Sequence, residues 1–446
     1  MNIYLVNIMD KKSFYNLFFN YGDKKVVYNS FSNSLMCLTC EEFDVIQSGL
    51  EDLSALKENY PRLYEGMKVA GFIIDSDFDE LSYLKLKNHT CVFDKNDIML
   101  TVNPTLDCNL KCWYCSVEYA KAVHHGRMSD ETVEAVKNHI TLLLKRDKIR
   151  SLHLDWFGGE PLMYFNEVMV PIAEHACKLV EEDNVAFHHH VTTNASLMNE
   201  DMINKMAELR FMSYQITLDG NETHHNLIKH QADGNGTFKT VIRNINMLTE
   251  AIPDVCVILR VNYDRKTLYC IEDIIPLLTE NAKKHINMDY QKVWQVKCTK
   301  EDYEQLEKVK TIFEENGLHY GRWTYDPFRY HKCYADRMGH YVVNYDGRVF
   351  KCTARDYGDD KVIGTLQNDG QINWNHNLLG KLFANATFDN ERCLKCKAMP
   401  VCMGPCITKN IEAREAGEPI PCVYNGMVYS LSRFVAEEAQ RRNIIL

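Results

Sequence analysis

The chain has 446 residues, 51 basic and 61 acidic side chains, a formal net charge of -10 and 17 cysteines. That acidic excess argues against a nucleic-acid backbone as partner, and no run approaches the roughly 18 consecutive apolar residues of a membrane span. The length predicts two or three domains, and MNIYLVNIMDKK lacks the basic start and small-residue cleavage site of a secretory signal, so the cysteines are expected as thiols in a reducing cytoplasm rather than as disulfides.

In residues 1–95, IYLV and KVVYN read as short strands, CEEFDVIQSGLEDL and YPRLYEGMKVA as amphipathic helices, and GFII as a further strand. Cys37 and Cys40 form a lone C-x2-C without further ligands in the segment. They are read as ordinary buried residues, as are Cys91, Cys177, Cys256, Cys270 and Cys298.

From 97 to 298, β-rich runs alternate with helical stretches, which predicts βα units and a parallel sheet. SDETVEAVKNHITLLLKR is capped by Ser129 or Asp130, and NEDMINKMAEL by Asn199. The first unit carries DCNLKCWYC, with Cys108, Cys112 and Cys115. Three thiolates so spaced can hold three irons of a cubane and leave the fourth without a protein ligand, although the same run suits a zinc cage. In WFGGEP, Gly158 and Gly159 offer bare backbone for close approach of a ligand, and Glu160 a carboxylate suited to an ammonium group; such a sequence is also an ordinary turn. VTTNAS, QITLDG and VILRVN each end a β-branched strand in polar groups, the place where parallel α/β barrels collect ligand contacts. Between them, DGNETHHNLIKHQADGNGTF reads as a loop, with His224 and His225 solvated and KHQ a solvated face.

A charged helix at 300–318, stopped by Gly317, leads to the second cysteine pattern. This is Cys333-x13-Gly347-x4-Cys352, then Cys393-x2-Cys396-x5-Cys402-x3-Cys406, then Cys422.

DCNLKCWYC, with Tyr114 before its last cysteine and GGEP downstream, resembles the signature of the radical S-adenosylmethionine (SAM) enzymes. The resemblance implies a partial (β/α)6 barrel whose open iron chelates SAM, and a 5'-deoxyadenosyl radical that abstracts hydrogen from substrate. It implies that Gly158, Gly159, Glu160 and Pro161 bind the methionyl amine and that Asn194 and Asp219 contact the ribose or methionyl end. Arg260 would pair with the SAM carboxylate, and Asn262 would lie near the adenosine.

The seven later cysteines resemble the SPASM pattern, which implies two auxiliary clusters and three 4Fe-4S clusters in all. Cys393, Cys396, Cys402 and Cys422 would hold the outer one, and Cys333, Cys352 and Cys406 the inner, one ligand short. Either its open iron binds substrate, or His331, His340 or Asp336 fills the gap, since YADRMGHY has no cysteine. The segment at 219–238 is similar to the HxxxR and G-x-TF stretch of peptide- and sulfatase-maturing relatives, with the arginine of that pattern either replaced by Lys229 or missing. Residues 1–95 resemble the winged-helix peptide-recognition domain of many peptide-modifying radical enzymes, which adds a leader peptide as a strand. The alternative is a cap packed on the barrel.

The expected architecture is α/β: a winged-helix-like α+β domain at 1–95, the partial barrel at 97–298, a bridging helix at 299–330 and a SPASM domain at 331–446. The expected function is maturation of a ribosomally made precursor peptide through an intramolecular thioether. A carbon-carbon or ether link, or formylglycine formation by a sulfatase maturase, are the alternatives, with a zinc scaffold as the non-enzymatic one. Expected partners are the precursor peptide with its leader and a reductant such as flavodoxin or ferredoxin, with neither nucleic acid nor membrane. The catalytic base is left open between tyrosines, Asp356 and Glu118.

Overall fold

The computed structural model describes residues 9–115, 126–320, 330–384, 387–422 and 430–444. IYLV and Glu118 lie outside them. The chain forms two compact units, Met1–Phe93 with Asp326–Arg337 and Lys381–Leu446, and Asp94–Tyr325 with Met338–Gly380. The tract after 330 thus contributes to both.

In the first unit, β1 (Asp10–Lys12) pairs antiparallel with β5 (Ile73–Asp75), while β2 (Asn16–Tyr21), β3 (Lys24–Asn29) and β4 (Ser34–Leu38) form an antiparallel meander. Thr39 opens the helix Cys40–Glu51 with a capping box to Glu42. The helix expected over 40–53 stops at Asp52, whose carboxylate accepts from Ala55 N and starts a second helix, Leu53–Asn59. Pro61–Val69 follows. These helices bury Ile46, Leu50, Leu56, Tyr64 and Met67 against Val27, Phe72 and Ile73. A second cluster joins Tyr15 and Leu84 to Phe388, Met399 and Met403, so the early and late segments share a core.

The second unit is built on an 11-stranded sheet. Its parallel part runs through β6 (Asp97–Val102), β7 (Ser151–Trp156), β8 (Ala186–Thr193), β9 (Ser213–Thr217), β10 (Cys256–Tyr263), β11 (Ile286–Lys292) and the short β12 (His319–Tyr320). On the other edge β13 (His340–Val343) pairs parallel with β6, and β14 (Arg348–Phe350), β15 (Gly364–Leu366) and β16 (Ile372–Trp374) continue antiparallel. In β10 the period-2 pattern is plain: Val257, Leu259 and Val261 are buried, while Ile258, Arg260 and Asn262 on the opposite face are half-exposed.

Ser129 caps Asp130–Thr141, which passes into a π-helical turn, and Asn199 caps Glu200–Glu208. The charged helix is Lys300–Glu315, with Gly317 at φ +81° beyond it. The lone cysteines differ from expectation. Cys40 is exposed, and Cys37, Cys91, Cys177, Cys256, Cys270 and Cys298 are only half-buried, several of them on the open side of a strand or at a helix end. No helix among the described residues is long and apolar enough to cross a membrane.

Candidate cofactor and cluster sites

The chemistry-bearing residues gather where the parallel strands end. The segment after β6 runs over the turn that follows β7, and the two glycines make this possible. A Cβ on Gly158, which has φ +117°, would meet Thr105 O at 2.2 Å, and one on Gly159 would meet Asp107 O at 2.0 Å. Gly159 N donates to Thr105 O and Glu160 N to Asp107 O. The bare backbone expected to admit a ligand is therefore approached by the cysteine-bearing segment itself.

Glu160 is buried at the centre of this junction. Its carboxylate accepts from Thr193 Oγ1 at 2.7 Å, Asn194 N at 2.8 Å and Leu162 N at 3.1 Å, tying the β7 turn to the end of β8. Burial pushes its carboxyl up to about 7, against these donors. Pro161 opens the short 3-10 turn that follows.

The thiols lie among donors. Cys108 Sγ accepts from Leu110 N at 3.4 Å and Asn194 Nδ2 at 3.8 Å, and Cys112 Sγ from Lys229 Nζ at 3.7 Å. Burial first, then Glu160 and the neighbouring Cys112 and Cys115, push the Cys108 thiol up to about 12. Among the described residues no three Cys, His, Asp or Glu side chains close around a single metal ion. Thiolates of a cubane bind separate irons, and N–H donors and a buried cation beside their sulfurs are the surroundings such ligands use, so the donor set fits a cluster.

Asp219, buried just beyond β9, organises the rest. It accepts the Tyr114 hydroxyl and, through Oδ1, Asn262 N at 2.9 Å; Lys229 Nζ lies 3.5 Å from Oδ2. Asn262 Nδ2 donates to the Tyr114 hydroxyl at 3.2 Å, and Arg260 Nε to Asn262 Oδ1 at 3.0 Å. The Arg260 side chain is 33% exposed, 3.9 Å from Asp289, and so able to reach an anionic group. Asn194 donates to Asn109 and accepts from Ser196.

Several expectations fail in the segment after Asp219. Its first part is the helix Glu222–Ile228, and His225, far from solvated, is buried between Asp219 N and the Thr237 hydroxyl, with burial pushing its imidazole down to about 3. His224 packs beside Asp264 and Thr267. Lys229, read as a solvated charge, is buried.

In the first unit, burial and the neighbouring Cys402, Cys396 and Cys422 push the Cys393 thiol up to about 11, so these four thiols lie within electrostatic reach of one another. Asn390 Nδ2 donates to Cys393 Sγ at 3.2 Å. Cys406 stands immediately before the helix Ile407–Glu415. Asp336 accepts from Lys332 N, Cys333 N and Ile407 N, which makes it a clamp between the Cys333 and Cys406 segments and occupies the carboxylate expected as a spare ligand. His331 Nδ1 lies 3.3 Å from Cys91 Sγ. Cys352 follows β14, and His340 is buried in β13, both in the second unit.

Residues 102–277 match the radical SAM superfamily. Native anSMEcpe with bound AdoMet, a sulfatase maturase, is 20% identical at a TM-score of 0.54, over 77% of this chain and 97% of its own. Streptococcus suis SuiB bound to S-adenosylmethionine is 16% identical at 0.51, and SuiB bound to the precursor peptide SuiA 15% identical at 0.55, each over 95% of this chain and 100% of its own. At these identities the likeness is one of fold. The chain carries a radical SAM domain, whose kind uses SAM and a 4Fe-4S cluster, and it is an enzyme.

Proposed function

We propose that this enzyme is a radical SAM/SPASM peptide maturase that cross-links a ribosomally made precursor. The observation that carries the reading is the gathering of Cys108, Cys112, Asn194, Asp219 and Lys229 at the C-terminal ends of neighbouring parallel strands. Cys108, Cys112 and Cys115 would hold the SAM-binding cluster. Bound SAM supplies, on reduction, the radical that takes hydrogen from the substrate. Arg260 would receive the methionyl carboxylate, the turn at Gly158, Gly159, Glu160 and Pro161 the amine, and Asn194 and Asp219 the ribose or methionyl end, with Asn262 near the adenosine and Tyr114 fixed by Asp219.

Cys393, Cys396, Cys402 and Cys422 would hold an outer auxiliary cluster, and Cys333, Cys352 and Cys406 an inner one. Asp336 is engaged by backbone donors, which leaves an inner iron open to a substrate thiolate or a fourth ligand from His331 or His340, and the open iron supports a thioether product. Closing such a link would take two hydrogens from the peptide, one as the atom abstracted by the SAM-derived radical and one as the thiol proton released to a base, and the one electron left over would go to the auxiliary cluster that these cysteines would hold. A flavodoxin or ferredoxin would supply the initial electron.

The β2–β4 meander and its helices support leader binding at 1–95. Beside β2 lies a pocket of ≈ 590 Å³ where Phe14, Phe18, Leu50, Leu81 and Leu394 stand among both basic and acidic side chains, which supports an apolar leader segment as its ligand. SuiB, solved with a precursor peptide, matches over 95% of the chain against 77% for the sulfatase maturase, which favours a peptide maturase over formylglycine formation. The test is anaerobic co-expression with the short peptides encoded beside the gene, followed by mass spectrometry. A loss of two hydrogens per link supports the reading. Formylglycine in a sulfatase peptide, with all neighbouring peptides unmodified, overturns it.

A further inference from the structure

Lys229 ends the helix Glu222–Ile228 with its side chain 5% exposed. Its backbone is fixed on both sides: Lys229 N donates to His225 O at 2.7 Å, and Lys229 O accepts from the Thr237 hydroxyl at 2.8 Å. Nζ lies 3.7 Å from Cys112 Sγ, 3.5 Å from Asp219 Oδ2 and 5.4 Å from the centre of the Tyr114 ring. A buried ammonium is costly unless its charge is answered. Here the carboxylate answers it at the long end of ion-pair distance, and the remaining direction is toward a sulfur of the proposed cluster.

Resting on the radical SAM reading above, we infer that Lys229 is a positioning residue for electron entry: its ammonium, aimed at Cys112 Sγ, makes the cluster held by Cys108, Cys112 and Cys115 easier to reduce. The step is a one-electron transfer from a low-potential flavodoxin or ferredoxin, which is oxidised, to the cluster, whose charge falls by one. A fixed positive charge at that range, in a site shielded from water, favours the more negative form, and a hydrogen bond to a ligand sulfur acts in the same direction. Lysine suits this task as a compact charge. Its link to Asp219 also joins the cluster side of the site to Tyr114 and Asn262.

The test uses the full-length, anaerobically reconstituted protein, titrated with a low-potential reductant and followed by electron paramagnetic resonance. The relevant signal is the one that changes when SAM is added. In Lys229→Met, with iron content retained, the ratio of reduced to oxidised cluster at a fixed potential should fall about tenfold, equivalent to about 59 mV for one electron. Lys229→Arg, which keeps the charge, should restore most of it. A Lys229→Met/Asp219→Asn pair, which strands no carboxylate, should move in the same direction by a smaller step. Unchanged reduction in a methionine variant that holds full iron overturns the inference. So does loss of iron from both methionine variants, since Lys229 would then be needed to assemble the site rather than to set its potential. A wild-type protein with no SAM-responsive iron-sulfur signal would instead refute the underlying functional reading.

Discussion

Glu160, on the turn after β7, accepts the backbone N–H of Asn194 at the end of β8 at 2.8 Å, and Asn194 in turn donates to Cys108 Sγ at 3.8 Å. One buried carboxylate therefore positions a cysteine of the proposed cluster and a residue of the proposed SAM pocket. Glu160→Gln turns one acceptor into a donor facing N–H or O–H groups, and an unmet buried polar group costs about 1–3 kcal/mol. The variant should unfold earlier in a thermal melt and bind SAM about ten- to a hundredfold more weakly by equilibrium dialysis. Arg260→Met, at a part-exposed position, should weaken SAM to a similar degree with little change in melting temperature.

Gly159→Ala tests the close passage of the cysteine segment. Its Cβ would stand 2.0 Å from Asp107 O, so the two backbones must part. Iron analysis should show loss of the SAM-binding cluster, about a third of the total if three like clusters are present, together with loss of SAM cleavage. Gly66→Ala, with nothing within 4 Å of its Cβ, should retain both.

The strands and their polar ends were legible because β-branched runs closed by Asn, Asp or Arg carry their own signal, and the cysteine spacing is local. Lys229 was not. Its segment is polar and glycine-rich, and its burial follows from a partner 117 positions away, Cys112. The same holds for the tail: β13 joins the sheet by pairing His340 with Met99, a contact that no local pattern announces. The half-exposed lone cysteines were misread because burial was assigned from residue type, whereas strand register and helix ends set it.

Asp155 on β7 gives a pH signature. Burial raises its carboxyl to about 7, above the unfolded value of about 3.9, so the folded state holds the proton more tightly. Between those values the folded chain binds more protons than the unfolded one, and stability falls as pH rises through that window and levels off above about 7. A shift of this size corresponds to a few kcal/mol, at roughly 1.36 kcal/mol per pH unit. Asp155→Asn should flatten the slope measured by urea unfolding between pH 5 and 8. Glu160, raised to about 7 as well, should keep part of it.

Leader binding is tested at β2. Phe18 is 37% exposed and lines the pocket there, so Phe18→Asp should leave iron content and uncoupled SAM cleavage intact. Cross-linking of a leader-bearing peptide should fall at least about tenfold, which corresponds to about 1.4 kcal/mol of lost binding. Equal loss of product from leader-bearing and leaderless peptides would contradict a role in leader recognition. Point variants are preferred to removal of 1–95, because Tyr15 and Leu84 share a core with Phe388 and Met399.

The central claim is reductive SAM chemistry at the first cysteine motif, and the direct measurement is 5'-deoxyadenosine release by anaerobically reconstituted protein given SAM and a low-potential reductant. The wild-type chain is expected to release it, and the variant with Cys108, Cys112 and Cys115 all changed to alanine is expected to release none while keeping the iron bound by the later cysteines. Release that survives in the triple variant, or zinc in place of iron in the wild-type protein, would contradict the account.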